Sequence, residues 1–529
     1  MKHHGAPAVR SAGADVDAIV IGGGHNGLVT GCYLAKGGLS TLVLEARAEV
    51  GGTATSETFA GATVNVCSCD HVTFRTTPVI DDLELERFGL SYLELEPSGT
   101  AMAWVDGPAP GGRIWTHWHD VERTLDGLAV THPGEVDGYR RYVRKAIPAI
   151  SAVLAAAAEP PTLRSLGRLA RRRRFAGIAT VMRWARRSAA DVMRSYFHDP
   201  ALLGAGLVSG PMVWGMSPEL PGTGLGTLGY ALRHVATVGR PVGGSRALPG
   251  ALRASLEQAG GRVQTNAQVA AILCAGGRAM GVRLADGMEI TADVVVSAAD
   301  PRRTFVEWLE HPPAGAADLV ARWRAKQPGD GYESKIDAVV TEVPVVRGAD
   351  HSLGSTLTVT PTIAEMHSAF QQLAAGTVIE QPALLVNVPS LVDPALAPPG
   401  RHVLSLEVLL TPYRHRGGWP DSPEPRRWLE SLGRLCENDL LASIEHYRVM
   451  TPDVYERQFH LPNGHATSFS GGPLAALRNR DPELTSYETA VPGLYLTGAA
   501  TFPGAGIWGA SGRNCATVVL GRMSQEPSR

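Results

Sequence analysis

The stretch that most constrains the fold runs Ala18-Ile19-Val20-Ile21 and then Gly22-Gly23-Gly24-His25-Asn26-Gly27. The short apolar run reads as a strand buried on both faces. It enters a G-x-G-x-x-G loop directly. Gly22 permits the tight turn, Gly24 lets backbone approach a pyrophosphate, and Gly27 lets helix and strand pack closely. A helical segment follows, with Leu28, Gly31, Cys32 and Ala35 on one face, and ends at Gly37-Gly38. The next strand, Thr41 to Leu44, closes on Glu45, where a carboxylate can accept ribose hydroxyls. An acid there also disfavours a 2′-phosphate, so FAD or NAD is expected rather than NADP. The order strand, loop, helix, strand, acid predicts a Rossmann-type α/β unit with phosphates at the helix N-terminus.

Composition narrows the remaining choices. Hydrophobic residues make up 44% of the 529, enough for a large buried core. The 49 basic and 51 acidic residues nearly cancel, which argues against nucleic acid as a partner. Lys is scarce beside Arg, and this bias is read as genome composition. The six Cys contain no C-x-x-C pair and fit a reducing compartment. The start of the chain has no apolar signal-peptide core. The longest soft apolar stretch, Ile147 to Ala158, contains Pro148 and is too short to span a bilayer. A cytoplasmic protein is expected, or one peripheral to a membrane.

Past Glu45 the chain continues Arg47-Ala48-Glu49-Val50-Gly51-Gly52-Thr53, a Gly pair able to pass close to the same cofactor. Near the other end, Gly493 to Gly498 reads as turn, short strand and Gly. Gly504-Ala505-Gly506-Ile507-Trp508-Gly509 then opens a helix through Cys515 to Leu520. With these segments the sequence resembles the flavin-dependent family of phytoene desaturases, related carotenoid ketolases and pyridine-nucleotide-disulfide-oxidoreductase-domain-containing proteins, within the flavin amine oxidase superfamily. The likeness spans nearly the whole chain, including Cys67-x-x-Asp70-His71, Arg233-His234 through Gly243-Gly244 to Leu248, and Pro398-Pro399-Gly400.

The resemblance implies FAD held by Gly22, Gly24, Asn26, Gly27, Glu45, Arg47, Gly51 and Gly52, with Gly498, Gly506 and Ile507 beside the flavin ring. Thr53 stands where many amine-oxidase-type relatives carry Arg, which removes one side-chain contact. Trp508 stands where relatives carry an aliphatic residue, and either shapes the pocket or fills core. Arg262 to Thr265 and Ala267 to Ile272 read as one continuing strand, Gly276-Gly277 as a hairpin turn, and Met280 to Leu284 as the next strand. Asp293 to Ala298 then returns to the parallel sheet. The resemblance places the Val269 backbone at the adenine and Ala298 near the ADP. The chain therefore divides into a discontinuous FAD-binding domain (15–105, 242–300 and 460–522), an inserted α+β substrate-binding domain (106–241 and 301–459), and flexible tails (1–14 and 523–529).

For chemistry, Asp70 and His71 are the candidates, His71 as a proton acceptor or donor when hydride leaves the substrate, or alternatively as a structurally satisfied His. Ten Arg between Arg164 and Arg194, interleaved with Leu166, Leu169, Phe175, Ile178, Met182 and Trp184, suit either an interfacial helix on anionic lipid or a solvated face. Met212, Trp214, Met216, Tyr230 and His234 are candidates for an apolar tunnel or for core. No metal cluster or Ser-His-Asp pattern stands out.

The expected function is FAD-dependent dehydrogenation of a hydrophobic carotenoid- or isoprenoid-type substrate, with electrons passing to O2 or a quinone. Alternatives are a ketolase or an oxidase of an amine or other secondary metabolite, and a non-catalytic lipid escort on the same fold.

Overall fold

The computed structural model describes residues 14–67, 69–104, 113–172, 176–331, 333–349, 353–466, 468–469 and 480–525. Most of the two predicted tails, 1–13 and 526–529, lies outside them, as do Arg173, Arg174 and Phe175 of the arginine run.

Two sheets dominate. In the first, the nucleotide sheet, strand Val16–Ile21 lies parallel between Thr41–Leu44 and Glu289–Ser297, and Arg262–Gln264 extends it beyond Thr41–Leu44. All six residues of Val16–Ile21 are buried, as the apolar run predicts for a central parallel strand. Strand Glu289–Ser297 serves two arrangements: its first half closes an antiparallel meander with Val269–Ala275 and Arg278–Leu284. Its second half takes Leu494–Leu496 as a parallel neighbour. The expected single strand through 267 is interrupted, because Asn266 adopts φ +54° between Arg262–Gln264 and Val269–Ala275.

Ala18 and Val20 face helices His25–Lys36, Ala247–Gln258 and Ala510–Met523, joining Leu28, Cys32, Leu252, Cys515 and Val519 in one core. Ile19 and Ile21 point the other way, into a core with Val295, Leu496, Phe305 and Trp323. This is the helix–sheet layering of α/β domains.

The second sheet roofs the first. Its order is Ile444–Met450, Glu333–Val340, His402–Leu409, Leu384–Asn387, Leu357–Thr360, Gly99–Ala103 and Trp115–His117. Only the pairing of Leu357–Thr360 with Gly99–Ala103 is parallel. Strand Gly99–Ala103, assigned from sequence to the nucleotide-binding part, belongs to this roof sheet. Met102 there packs with Leu357 and Val359, while Ala101 and Ala103 enter a helical cluster, so the pairing buries both faces.

One face of the roof is aliphatic. Ile336, Ala338, Val340, Leu404, Leu406, Val408, Leu384 and Val386 pack against Trp428, Leu429 and Leu432 of helix Glu424–Gly433. The alternate positions, Glu333, Lys335, Asp337, Asn387, Ser405 and Glu407, turn to the opposite side and are also buried. Helices Val136–Ala157 and Pro200–Val208 pack around an aromatic group of Trp115, Tyr139, Tyr142, Phe197 and Tyr230. Among the described residues no helix is long and apolar enough to cross a membrane.

Trp428 is fully buried against the roof strands. Trp428→Ala is expected to lower unfolding free energy by about 3–5 kcal/mol, read as a shift in the urea midpoint.

Candidate functional site

Between the sheets lies a cavity of about 710 Å3. Its floor is the N-terminal glycine loop. Gly22 has φ +102°, which a residue with a Cβ rarely adopts. A Cβ on Gly27 would sit 2.0 Å from the carbonyl oxygen of Gly22, so helix and strand touch as the motif requires. A Cβ on Gly24 would meet nothing within 4 Å: the space before it is cavity. Helix His25–Lys36 carries no side-chain N-cap, which leaves the first-turn N–H groups for an anionic ligand.

The second Gly pair docks on this loop. Gly51 N–H donates to the Gly23 carbonyl at 2.8 Å, and Gly24 and Gly51 pair as an isolated parallel bridge. Glu45, 7% exposed, accepts the Gly23 N–H at 2.8 Å through Oε2 and the Arg47 N–H at 2.9 Å through Oε1. It thus braces the loop from beneath as well as lining the cavity. Arg47 ion-pairs with Glu57 at 2.8 Å and lies 4.0 Å over the ring of Phe459, while its buried Nη1 has no partner among the described residues.

The C-terminal loop completes the enclosure. Ser511 Oγ accepts the Gly498 N–H at 3.0 Å and meets Thr497 Oγ1 at 2.9 Å. Thr30 Oγ1 donates to the Gly512 carbonyl at 3.1 Å, tying the first and last helices together. His25 lines the cavity half-buried and is held neutral: desolvation lowers it to about 4, against a hydrogen bond that it donates to the Gly506 backbone carbonyl.

Gly22, Gly24, Asn26, Gly27, Glu45, Arg47, Gly51, Gly52, Thr53, Val269, Ala298, Gly498, Gly506 and Ile507 all line this cavity. Two of the cofactor and catalytic candidates do not. Trp508 packs against the core beside Phe502 and touches Gly506 instead of the cavity. His71 is fully buried behind the wall, its Nδ1 3.2 Å from Tyr92 Oη and its Nε2 3.3 Å from Ser245 Oγ. Burial, then the neighbouring His25, lowers it to about 3. A ring so enclosed reaches no substrate.

Asp70 does line the cavity, but it is committed to Arg240 at 2.8 Å and accepts from Thr356 Oγ1 at 3.2 Å. Burial works to raise its carboxyl, and Arg240 with Arg233 outweighs that and holds it below the usual range. Of the tunnel candidates only Trp214 lines the cavity, while Met212 and Tyr230 are core. His234 Nε2 faces Tyr139 Oη at 2.8 Å.

Several lining residues escape the sequence reading: Glu333, Glu407, Asn387, Thr356, Thr358 and Phe459. For those in the roof strands the signal is an alternation of polar residues with apolar ones, as in Lys335-Ile336-Asp337-Ala338, whereas Phe459, at the end of helix Pro452–Phe459, carries none.

A Gly-floored cavity between a parallel sheet and a roof defines a dinucleotide-dependent oxidoreductase. Residues 20–80 match the NAD(P)-binding Rossmann-like domain family, and residues 172–314 match the flavin containing amine oxidoreductases. The chain is 28% identical over 563 residues to pyridine nucleotide-disulfide oxidoreductase domain-containing protein 2 of Mus musculus, covering 96% of this chain and 93% of that one. It is 27% identical over 519 residues to a lycopene-forming phytoene desaturase of Paracoccus sp., covering 95% and 96%. Cyclohexylamine oxidase of Brevibacterium oxydans shares the fold at TM-score 0.59 and 15% identity, covering 97% and 100%. The chain thus carries a Rossmann-like segment and a flavin containing amine oxidoreductase segment; it is a flavin-containing oxidoreductase, and its cofactor is FAD. The open space before Gly24, the uncapped helix and the unpartnered Nη1 of Arg47 all suit a dinucleotide diphosphate.

Gly27→Ala is expected to yield protein without the oxidised-flavin absorption bands, since its Cβ drives the helix from the strand. Glu45→Ala, which frees two N–H groups of the loops, is expected to weaken FAD about tenfold or more in a titration. His25 and His71 are neutral when folded but gain protons in the unfolded chain near pH 6.5. Their burial costs no stability above about pH 6.5, and stability falls as pH drops from there through about 4 for His25 and about 3 for His71, read as a decline in Tm.

Proposed function

We propose that this protein uses FAD to dehydrogenate a compact, largely apolar substrate of isoprenoid type, leaving a C=C bond. The observation that carries this reading is one continuous cavity lined both by the dinucleotide loops and by Val72, Val213, Trp214, Leu232 and Leu385. A cavity of this size that also receives FAD leaves room for a small molecule in the remainder. Bound FAD supplies the two-electron acceptor for hydride, so the protein's task is to place a C–H bond and exclude water. Trp214, Leu232 and Ile507 would orient the carbon skeleton. The glycine loops, Glu45, Arg47, Val269 and Ala298 would hold the dinucleotide.

On this reading the nucleotide-binding part comprises the first sheet with its helices, and the roof sheet and the helical cluster bind substrate. Electrons would pass on to O2 or a quinone. Helix Leu163–Arg172 exposes Leu163 among its arginines, which suits docking on an anionic lipid surface that supplies an apolar substrate.

A second reading, oxidation of an amine or another polar metabolite, is favoured by Glu333, Glu407 and Asn387 on the cavity wall. An escort role has no use for the braced loop beneath Gly24.

Anaerobic mixing of the holoenzyme with limonene, phytoene and cyclohexylamine separates these readings. Bleaching of the flavin by an isoprenoid is expected. Bleaching by cyclohexylamine alone would replace the first reading with the second.

A further inference from the structure

The face that the roof sheet turns to the cavity carries more acid than its cations neutralise. Lys335 stands opposite Glu407 and Glu333 opposite Leu409, so Glu333 and Glu407 are diagonal neighbours on one face. Both line the cavity, at 4% and 8% exposure. The nearby cations are engaged elsewhere. Lys335 is bonded to Asp337 and donates to the Asn65 carbonyl at 2.7 Å. Arg448 bridges Asp337 at 3.1 Å and Glu57 at 2.7 Å. Arg240 holds Asp70, and Arg233 donates to the Ser98 carbonyl. Glu333 accepts from Cys67 Sγ at 3.1 Å.

Glu407 alone of these acids has neither a hydrogen bond nor an ion pair among the described residues. A buried carboxylate in that position is costly to charge, and a second acid beside it adds to the cost. Burial, then Glu333, pushes Glu407 up to about 8, with Asp70 and Asp337 adding to the effect and Lys335 opposing it. Cys69 and Tyr455 also face it.

We propose that Glu407 accepts the proton from the substrate carbon adjacent to the one that gives up hydride. This rests on the dehydrogenation reading. Making a C=C bond removes one hydride and one proton from neighbouring carbons. The first C–H bond breaks with both electrons going to oxidised FAD, which is reduced by two electrons. The electron pair of the second C–H bond becomes the π bond, and its proton forms an O–H bond on the Glu407 carboxylate. The other acids are occupied: Asp70 by Arg240 and Thr356, Asp337 by Lys335 and Arg448. His71 lies behind the wall. Among the described acids of the roof face, Glu407 faces the cavity with neither oxygen in a hydrogen bond.

Two measurements on the FAD-loaded enzyme test this. Infrared difference spectra between about pH 6 and pH 10 should lose a protonated-carboxyl C=O band with a midpoint near 8, and the band should be absent in Glu407→Gln. With whichever panel compound bleaches the flavin fastest, the wild-type rate should rise with pH through about 8 and then level. Glu407→Gln should slow bleaching by about 100-fold or more and flatten that profile at unchanged FAD content, and Glu407→Asp should restore part of the rate. Bleaching by Glu407→Gln at the wild-type rate, or a wild type without the titrating band, overturns the assignment and leaves the dehydrogenation reading standing. A holoenzyme that no panel compound bleaches removes that reading, and the assignment with it.

Discussion

A methyl group at residue 27 would stand 2.0 Å from the carbonyl oxygen of Gly22, and one at residue 512 would stand 2.3 Å from that of Asn26. These two contacts set the distances on which the rest of the molecule depends. The first lets helix His25–Lys36 settle on the end of strand Val16–Ile21, so that its free N–H groups face one point in space. The second lays helix Ala510–Met523 on the first helix, although Thr30 and Gly512 are 482 residues apart. The loop preceding that last helix is thereby carried over the N-terminal glycines. Both glycine loops then line one enclosure, where electrostatic interactions are stronger than in water.

The roof sheet meets a different demand. A sheet that covers a cavity must present an apolar face to its own helix and another face to the ligand. Strands Glu333–Val340 and His402–Leu409 do this by alternation, with leucines, valines and an isoleucine toward Trp428 and acids, lysine and serine toward the floor. Most of those polar groups neutralise one another through Lys335–Asp337–Arg448 and Asp70–Arg240. What the network leaves uncompensated is Glu407. A polar layer that leaves a buried acid without a cation is where chemistry is expected to concentrate.

The nucleotide-binding half was largely legible in the residues. The strand, loop, helix, strand and acid occur where the motif places them, and fourteen residues read as cofactor contacts line the cavity. Local chemistry carries that information, because glycines at fixed offsets are needed wherever backbone must touch backbone or ligand. Trp508 departed from this pattern because its ring turns to the Phe502 core instead of the cavity. The strand expected through residue 267 departed from it because Asn266 takes a left-handed conformation. His71 lies between lining residues, with Cys69 and Asp70 before it and Val72 and Thr73 after it, and adjacency in the chain did not show that its ring turns away. Asp70 faces the cavity and His71 is shut in by Tyr92 and Ser245.

The roof was illegible for a related reason. Polar alternation in a strand shows that its two faces differ, but not what the polar face covers or which cations its neighbours have already taken. By itself, the sequence determined that a dinucleotide would lie on a glycine loop at a helix N-terminus and that Glu45 would stand beneath it, since these follow from spacing within about thirty residues. Only the tertiary structure decided which acid would remain unpaired above the cofactor site. Lys335 and Asp337 share one strand, Arg448, Asp70 and Arg240 come from distant segments, and Glu407 is left without an ion pair among the described residues only once all of them have met.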